Sequence, residues 1–438
     1  MRKKILHISI IFLLIFSSFI NFFCIYDDVE AKLDYNSYNS RIEKFGNITI
    51  LYQNGSFYNM GYQHGYLLKH QIEENYRAFL SLINDEQYNF ILSRYNDFIC
   101  NYIPEIYIWE LKGLSDGANI SFDDVVVVNF GWYTIIDLAC ADISVWDRAS
   151  KDGQLYHIRS WDISYNIFDP VTGSYLVENQ ILIVRKPSDG YVSLQVSLAG
   201  FIEAIGGFNE AGIAVSYDMS KSIDMDVRLN PWYIRQKEVL DFASTINQSI
   251  KILSINRTGG YNFIISDSKA PEAYVSEFTS KLSYIGTWDD PVESNYPFWS
   301  IEDVIRRKNL FIDKNTALTQ RFPYNPRSII HILNVNSYHF LNWKTYKSLS
   351  VKIEDLWGNL DLFNLMDILR DVYCGKTDFV LFLFVNFFDG LGSYHQWVAC
   401  PSSGDMIISF GDRYNKAQFC KPYVFNLYDL LDSFISIN

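Results

Sequence analysis

The chain reads as an α+β protein, and three observations predict it. Apolar residues recur at helical spacing from Tyr58 to about Ile136. From Cys140 to Met219 the period drops to two, in six short runs parted by turns. Beyond Asn230 helical and alternating runs succeed one another to the end of the 438 residues. No repeat, linker or low-complexity tract interrupts the sequence, so strands and helices are expected to share one layered core.

The elements follow in order. "YNMGYQHGYLLKHQIEENYRAFLSLI" carries a helical stripe behind Gly61 and Gly65, and "IPEIYIWELKGLSDG" has proline near its start and glycine at its end. "ISFDDVVVVNFGWYTIIDLA" offers Ser121 as an N-cap with acids in its first turn and leads to Cys140. The runs "CADISVW", "QLYHIRSW", "NQILIVRK", "YVSLQVSLA", "EAIGGFN" and "GIAVSYDM" form a meander, with turns at Lys151-Asp152-Gly153 and Ser188-Asp189-Gly190. A helical pair ("NPWYIRQKEVLDFA", "INQSIKILSI") precedes the strands "YNFIISD" and "AYVSEF". Helical patterns are read at "SIEDVIRRKNLF", "PRSIIHIL" and "DLFNLMDILRDVY", and "YHQWVACPSSGDMIISFG" reads as a closing hairpin.

Residues 1–31 combine Arg2-Lys3-Lys4, an apolar run from Ile5 to about Tyr26 and a small-x-small ending at Ala31. They read as a secretory signal peptide, with an uncleaved anchor as the alternative, so the expected location is secreted or extracytoplasmic. "FVLFLFVNFF" from Phe379 is too short to span a bilayer and reads as a buried strand or helix. Removing 1–31 takes away three basic and three acidic groups, which leaves the net charge at -13. So acidic a body argues against nucleic acid and anionic membrane surfaces as partners, leaving an N-terminal anchor as the one membrane contact expected. Sequons at Asn47, Asn54, Asn119, Asn247 and Asn256 fit a glycosylated exported protein. Beyond Cys24 five cysteines remain, an odd number that leaves a thiol over.

Cys140 is the thiol that sequence context singles out. If the runs on either side of Lys151-Asp152-Gly153 pair as a hairpin, Arg159 and Asp162 arrive beside the strand end that holds Cys140. A thiol attacks as thiolate, and a neighbouring cation or base eases its formation. The bland reading is a small buried hydrophobe or half of a disulfide, with Arg159 and Asp162 as an ordinary ion pair.

"CADISVWDRASKDGQLYHIRSWD" is similar to the stretch that opens the catalytic domain of the isopenicillin N acyltransferase-like family, relatives of choloylglycine hydrolase and acid ceramidase among the N-terminal nucleophile cysteine hydrolases. "GYQHGYLL", "GGFNEAGIAVSYD", "VESNYPF" and "SYHQWVACPSSGDM" resemble the same family and lie in its order, from Gly61 to Met406. The resemblance implies a four-layer αββα sandwich of two antiparallel sheets. It also implies a self-made cut between Ala139 and Cys140, which divides the chain behind the leader over 1–31 into a pro-segment over 32–139, mainly helical by its periodicity and expected from its apolar faces to stay bound, and a catalytic domain over 140–438. The freed α-amino group would be the base for its own thiol, since an α-amine titrates near about 7.7 to 8.0 and a lysine near about 10.4.

By the same resemblance Arg159 and Asp162 orient the amine and polarise the thiol, and Asn295 helps hold the oxyanion. Asn209 and Gly212 match a turn between strands. The sequence departs from the pattern at Ala141 and Asp142 after the nucleophile, at Ile158 and Ser160 around Arg159, and at Asp218, where relatives often place a second oxyanion asparagine. An acid there repels an oxyanion unless it is protonated or turned away.

The reading implied is an exported amidohydrolase or acyltransferase that cleaves linear amides through an acyl-thioester, with a small amide or N-acyl substrate and no cofactor or metal. A lipid amidase or phospholipase-like hydrolase of the same fold and an inactive exported scaffold are the alternatives. His64, His157, His331, His339 and His395 lack metal spacing, and Tyr394, His395 and Trp397 read as packing for the second sheet.

Overall fold

The expected change of period at Cys140 marks a hairpin. Strand β3 (Ala139–Asp147) pairs antiparallel with β4 (Gly153–Ser164), with Ala139 opposite Asp162 and Asp142 opposite Arg159. The computed structural model describes residues 40–135, 139–321, 337–387 and 391–435. The proposed leader and the run "PRSIIHIL" lie outside them.

Before the hairpin come two strands, β1 (Arg41–Phe45) and β2 (Ile48–Gly55), and then the helices α1 (Phe57–Leu67), α2 (Lys69–Leu80), α3 (Asp85–Asp97), α4 (Glu105–Ala118) and α5 (Phe122–Ile135). After it come β5 (Gln180–Pro187), β6 (Ser193–Leu198), β7 (Gly206–Asn209), β8 (Ile213–Met219), α6 (Trp232–Phe242), α7 (Ile246–Ser254), β9 (Tyr261–Asp267), β10 (Glu272–Phe278) and β11 (Ser283–Gly286). The last third holds β12 (Val304–Lys308), α8 (Ser337–Asp355), α9 (Leu362–Tyr373), α10 (Phe379–Phe387), β13 (Leu391–Cys400), β14 (Asp405–Phe410), β15 (Tyr423–Asn426) and α11 (Leu427–Ile435).

The strands make two sheets. A nine-stranded sheet runs β1-β2-β5-β6-β7-β8-β9-β10-β11 and a six-stranded sheet runs β12-β3-β4-β13-β14-β15. All pairings are antiparallel except β2 with β5. The sheets stack face to face: Ile50, Tyr52, Leu182, Val196 and Phe208 of the first share a core with Trp397, Met406, Ile408 and Phe410 of the second. Because strand side chains alternate faces, Ala141, Ile143 and Val145 point the other way, onto Leu349, Ile353, Leu365 and Leu369 of α8 and α9. Helices α6 and α7 cover the outer face of the first sheet. The result is the four-layer αββα, α+β arrangement that the sequence and its resemblance predict.

Three readings of local structure change. Residues 300–311 were expected to be helical, yet the segment is a strand, with Val304–Lys308 pairing along β3. Its charges mimic an amphipathic helix, but each cation is buried with a partner of its own. Arg306 lies over Trp299 and Tyr346, Arg307 binds Glu277 and Glu293, and Lys308 donates to Tyr373. The segment before Cys140 is not helical alone, since β1 and β2 join the nine-stranded sheet through a two-residue turn at Gly46-Asn47. The run from Phe379 is a helix, with Phe379 and Phe382 exposed.

Ser121 caps α5 as expected, its hydroxyl accepting from the Asp124 amide at 3.1 Å. Asn209 ties its turn to α6, donating to the carbonyls of Leu240 and Ala243 at 3.0 and 2.8 Å. The five described cysteines are free. Among the described residues no helix is long and apolar enough to cross a membrane.

Helices α1 and α4 touch backbone to backbone. A Cβ on Gly65 would meet the Leu114 carbonyl and one on Gly113 the Tyr58 carbonyl, so only glycine permits the approach. Gly113→Val is therefore expected to destabilise the protein by about 3 kcal/mol. Urea unfolding checks this; an unchanged midpoint would show that the helices can part without cost.

Candidate active site

The site is built where β3 loses its neighbour. Strand β12 ends with Lys308 opposite Ala141, so the next amide along β3, that of Cys140, has no ladder partner on that side. Buried amides are seldom left unpaired. Asn309 fills the gap, its Oδ1 accepting from the Cys140 N–H at 2.8 Å while its Nδ2 donates to the Met219 carbonyl at 2.8 Å. The two bonds fix which way the amide points.

Cys140, Asp142 and Ser144 face the interior between the sheets, because Ala141, Ile143 and Val145 face the helices. Arg159 enters the same layer from β4. Its Nη2 donates to Cys140 Sγ at 3.3 Å and its Nη1 to both oxygens of Asp142 at 2.8 and 2.7 Å. It also donates to the Tyr217 carbonyl, lies 4.8 Å over the Tyr217 ring, and comes within 3.7 Å of Asp218. Cys140 and Arg159 are fully buried.

Burial pushes the Cys140 thiol up and Arg159 pulls it down, burial being the larger influence. In the continuous chain the thiol is therefore protonated and needs a base. Asp218 is a buried carboxyl without a hydrogen-bond partner on either oxygen; burial first, and then the Asp142 charge, raise its pKa well above the carboxylate range. Asp142 takes the arginine, and Asp218 keeps its proton.

Asp162 closes the other end. Its Oδ1 accepts from Ser160 at 2.7 Å and Ser393 at 2.8 Å, its Oδ2 accepts from Tyr373 at 2.9 Å, and Lys308 stands 3.7 Å away. Three strands and the end of α9 thus converge on one carboxylate.

His157 is a packing residue. It bonds Ser266 at 2.8 Å and Ser216 at 2.6 Å, stacks on Trp397, and is held neutral by burial and then by Arg159, which lower its pKa to about 3. His64 is likewise buried, pulled down to about 3 by burial first, and accepts from the Gly200 amide at 3.0 Å. Tyr394, His395 and Trp397 are buried within the second sheet. Among the described residues no group of histidines, cysteines and carboxylates could hold a metal ion.

Of the residues named from sequence, the structure brings Cys140 and Arg159 into contact and sets Asp162 on the neighbouring strand, opposite Ala139. Asn295 lies in the turn after Pro291–Ser294, half-buried, donating to the Ile312 carbonyl at 3.4 Å. No described contact joins it to Cys140, Arg159 or Asp162. Asn309 is the asparagine that touches Cys140, and sequence reasoning missed it because it was read as part of a helix. The run Arg306-Arg307-Lys308-Asn309 reads equally as a solvated helical face, so no local signal points to Asn309.

No family model matches the chain. An uncharacterized protein of Archaeoglobus fulgidus is 23% identical over 260 residues, covering 51% of this chain and 42% of its own. Protein dcd1B of Dictyostelium discoideum is 22% identical over 313 residues, covering 64% of this chain and 60% of its own. The chain thus spans less than two thirds of either relative. Among solved structures, an N-acylethanolamine-hydrolyzing acid amidase ortholog of Caenorhabditis elegans aligns with TM-score 0.37 at 11% identity, covering 65% of this chain and 100% of that one. A variant of conjugated bile acid hydrolase from Clostridium perfringens gives TM-score 0.34 at 14% identity, covering 66% and 96%. Penicillin V acylase from Agrobacterium tumefaciens gives TM-score 0.36 at 10% identity, covering 66% and 86%.

Two outcomes follow from the charges. Arg159→Met strands Asp142 in the interior and is expected to cost about 3 to 5 kcal/mol, much of it recovered when Asp142→Leu is added. Unfolding of the single and double variants measures this, and equal losses in both would overturn the pairing. Asp218 binds its proton more tightly folded than unfolded, so its contribution is full below its unfolded pKa of about 3.9 and is lost as pH rises through the higher folded value. Asp218→Asn should therefore gain stability over wild type as pH rises above about 3.9, read as a widening difference in Tm. A pH-independent difference would show that Asp218 ionises as freely folded as unfolded.

Proposed function

We propose that the chain is a self-processing cysteine hydrolase or acyltransferase acting on linear amides, exported if residues 1–31 act as a leader. The observation that carries this is the buried contact between Arg159 and Cys140 Sγ, at the one strand end where the Cys140 nitrogen is held by a side chain.

In the intact chain the Cys140 nitrogen is an amide and cannot act as a base. The first reaction is attack of Sγ on the Ala139 carbonyl: the thiol proton passes to the Cys140 nitrogen, the C–N bond breaks, and an ester on sulfur forms. Water then hydrolyses that ester, leaving a carboxylate on Ala139 and a free amine on Cys140.

In turnover the amine takes the Sγ proton and the thiolate attacks the substrate carbonyl. The proton goes to the leaving amine as its C–N bond breaks, and water or a second amine accepts the acyl group from sulfur. Arg159 would stabilise the thiolate, Asn309 would hold the new amine through Oδ1, and Asp162 would orient it. Asn295 is the residue to which the resemblance gives the oxyanion. A protonated Asp218, within 3.7 Å of Arg159, would not repel an oxyanion formed beside that guanidinium. Full burial of Cys140 supports latency before the cut.

Intact mass under denaturing, reducing conditions tests the reading. Wild type is expected to give two chains meeting at Ala139/Cys140 and Cys140→Ala one chain; a single chain in both would sink it. Asn309→Ala is expected to slow self-cleavage by about 10²-fold and Asn295→Ala less, followed by the same mass measurement over time. Parity of the two variants would remove the special role of Asn309.

A further inference from the structure

Lys308 is a buried cation that the chemistry above does not use. It is the last residue of β12, opposite Ala141 and next to Asn309. Its Nζ donates to the Tyr373 hydroxyl at 3.0 Å, and that hydroxyl donates to Asp162 Oδ2 at 2.9 Å. Nζ itself is 3.7 Å from the same oxygen, and both side chains are nearly inaccessible, 4% for Lys308 and 6% for Asp162. Strand, helix end and hairpin are thereby tied at one point.

The charges around the Cys140 nitrogen can be counted by element. From β3 comes Asp142, from β4 Arg159 and Asp162, from β8 Asp218 and Tyr217, from β12 Lys308, and from α9 Tyr373. Asp142 is paired with Arg159, whose Nη1 meets both its oxygens, and Asp218 is protonated. That leaves Asp162 and Lys308. An unopposed Asp162 would hold an adjacent α-amine as ammonium and deprive the thiol of its base. Burial first of all raises the pKa of Asp142 and of Asp218, and the field of Lys308 opposes that rise in each.

We propose that Lys308 is a positioning residue that sets the working pH of the nucleophile, offsetting Asp162 so that the α-amine freed at Cys140 remains a base near neutral pH. The inference rests on the self-processing reading and adds to it a residue that touches neither substrate nor sulfur. Lysine suits the place because Asp162 already has three hydroxyl donors and needs a charge more than another hydrogen bond.

The test is the pH dependence of alkylation of Cys140 by iodoacetamide in the processed protein, read as the mass of the peptide that begins at Cys140. Lys308→Met is expected to move the midpoint up by about one pH unit, and Lys308→Arg to leave it at the wild-type value. Lys308→Arg, which keeps the charge, separates loss of charge from a change of packing. An unchanged midpoint in a cut, folded Lys308→Met overturns the inference and leaves self-processing standing. An uncut wild type overturns the self-processing reading and the inference with it. Should Lys308→Met stay uncut, a cut Lys308→Arg supports the charge role and an uncut one overturns it.

Discussion

The guanidinium of Arg159 is the constraint on which the interior depends. A cation without access to water needs compensating charge, and here Asp142, with the Tyr217 carbonyl, supplies it at Nη1. Those partners sit on β3 and β8, in different sheets, so satisfying one side chain fixes the spacing of the two layers at that point. With the layers fixed, Nη2 reaches the Cys140 sulfur, while Nε has no hydrogen-bond partner. A second consequence falls on Asp218: with the arginine taken by Asp142, it has no cation of its own and stays neutral.

Much of this was legible in the sequence, and for an identifiable reason. The hairpin from Cys140 to Asp162 is local and its turn carries Asp152-Gly153, so counting residues brings Arg159 and Asp162 near the cysteine, although the register shift between Val145 and Asp147, which sets Arg159 opposite Asp142, does not follow from counting. The layered α+β core likewise follows from a period that changes from helical to two. The contacts that cross the chain were not legible. Asn309 reaches Cys140 only because β12 stops at Lys308, and nothing local announces that stop. The misreading of residues 300–311 has the same root: charge on both faces of a strand looks helical until the carboxylates that bury it are known. Asp218 was visible as a departure, but the sequence cannot tell a charged acid from a protonated one, since only burial and the allegiance of Arg159 decide that.

Polar groups also continue between the sheets beyond the site. Ser144, His157, Ser216 and Ser266 bond one another in a line that runs from Asp142 into the interior, flanked by the apolar clusters on either side. Every atom of the line that needs a proton or a lone pair finds one in a neighbour, which is how a polar seam survives at the centre of a sandwich. A neutral His157 completes it without adding charge near Arg159.

The order in which the chain is made gives the ladder gap at Cys140 another meaning. A ribosome that has just finished the β3–β4 hairpin has made the cysteine, the arginine and Asp162, yet Asn309 lies 169 residues beyond Cys140 and Ser393 lies 231 beyond Asp162. Until those residues emerge and dock, the Cys140 amide has no side chain to hold it and Asp162 lacks part of its shell. On the proposed reading, the chemistry would be withheld from the nascent chain until these contacts form. A site closed by its most distant contacts doubles as a record that synthesis and folding have both run to their end.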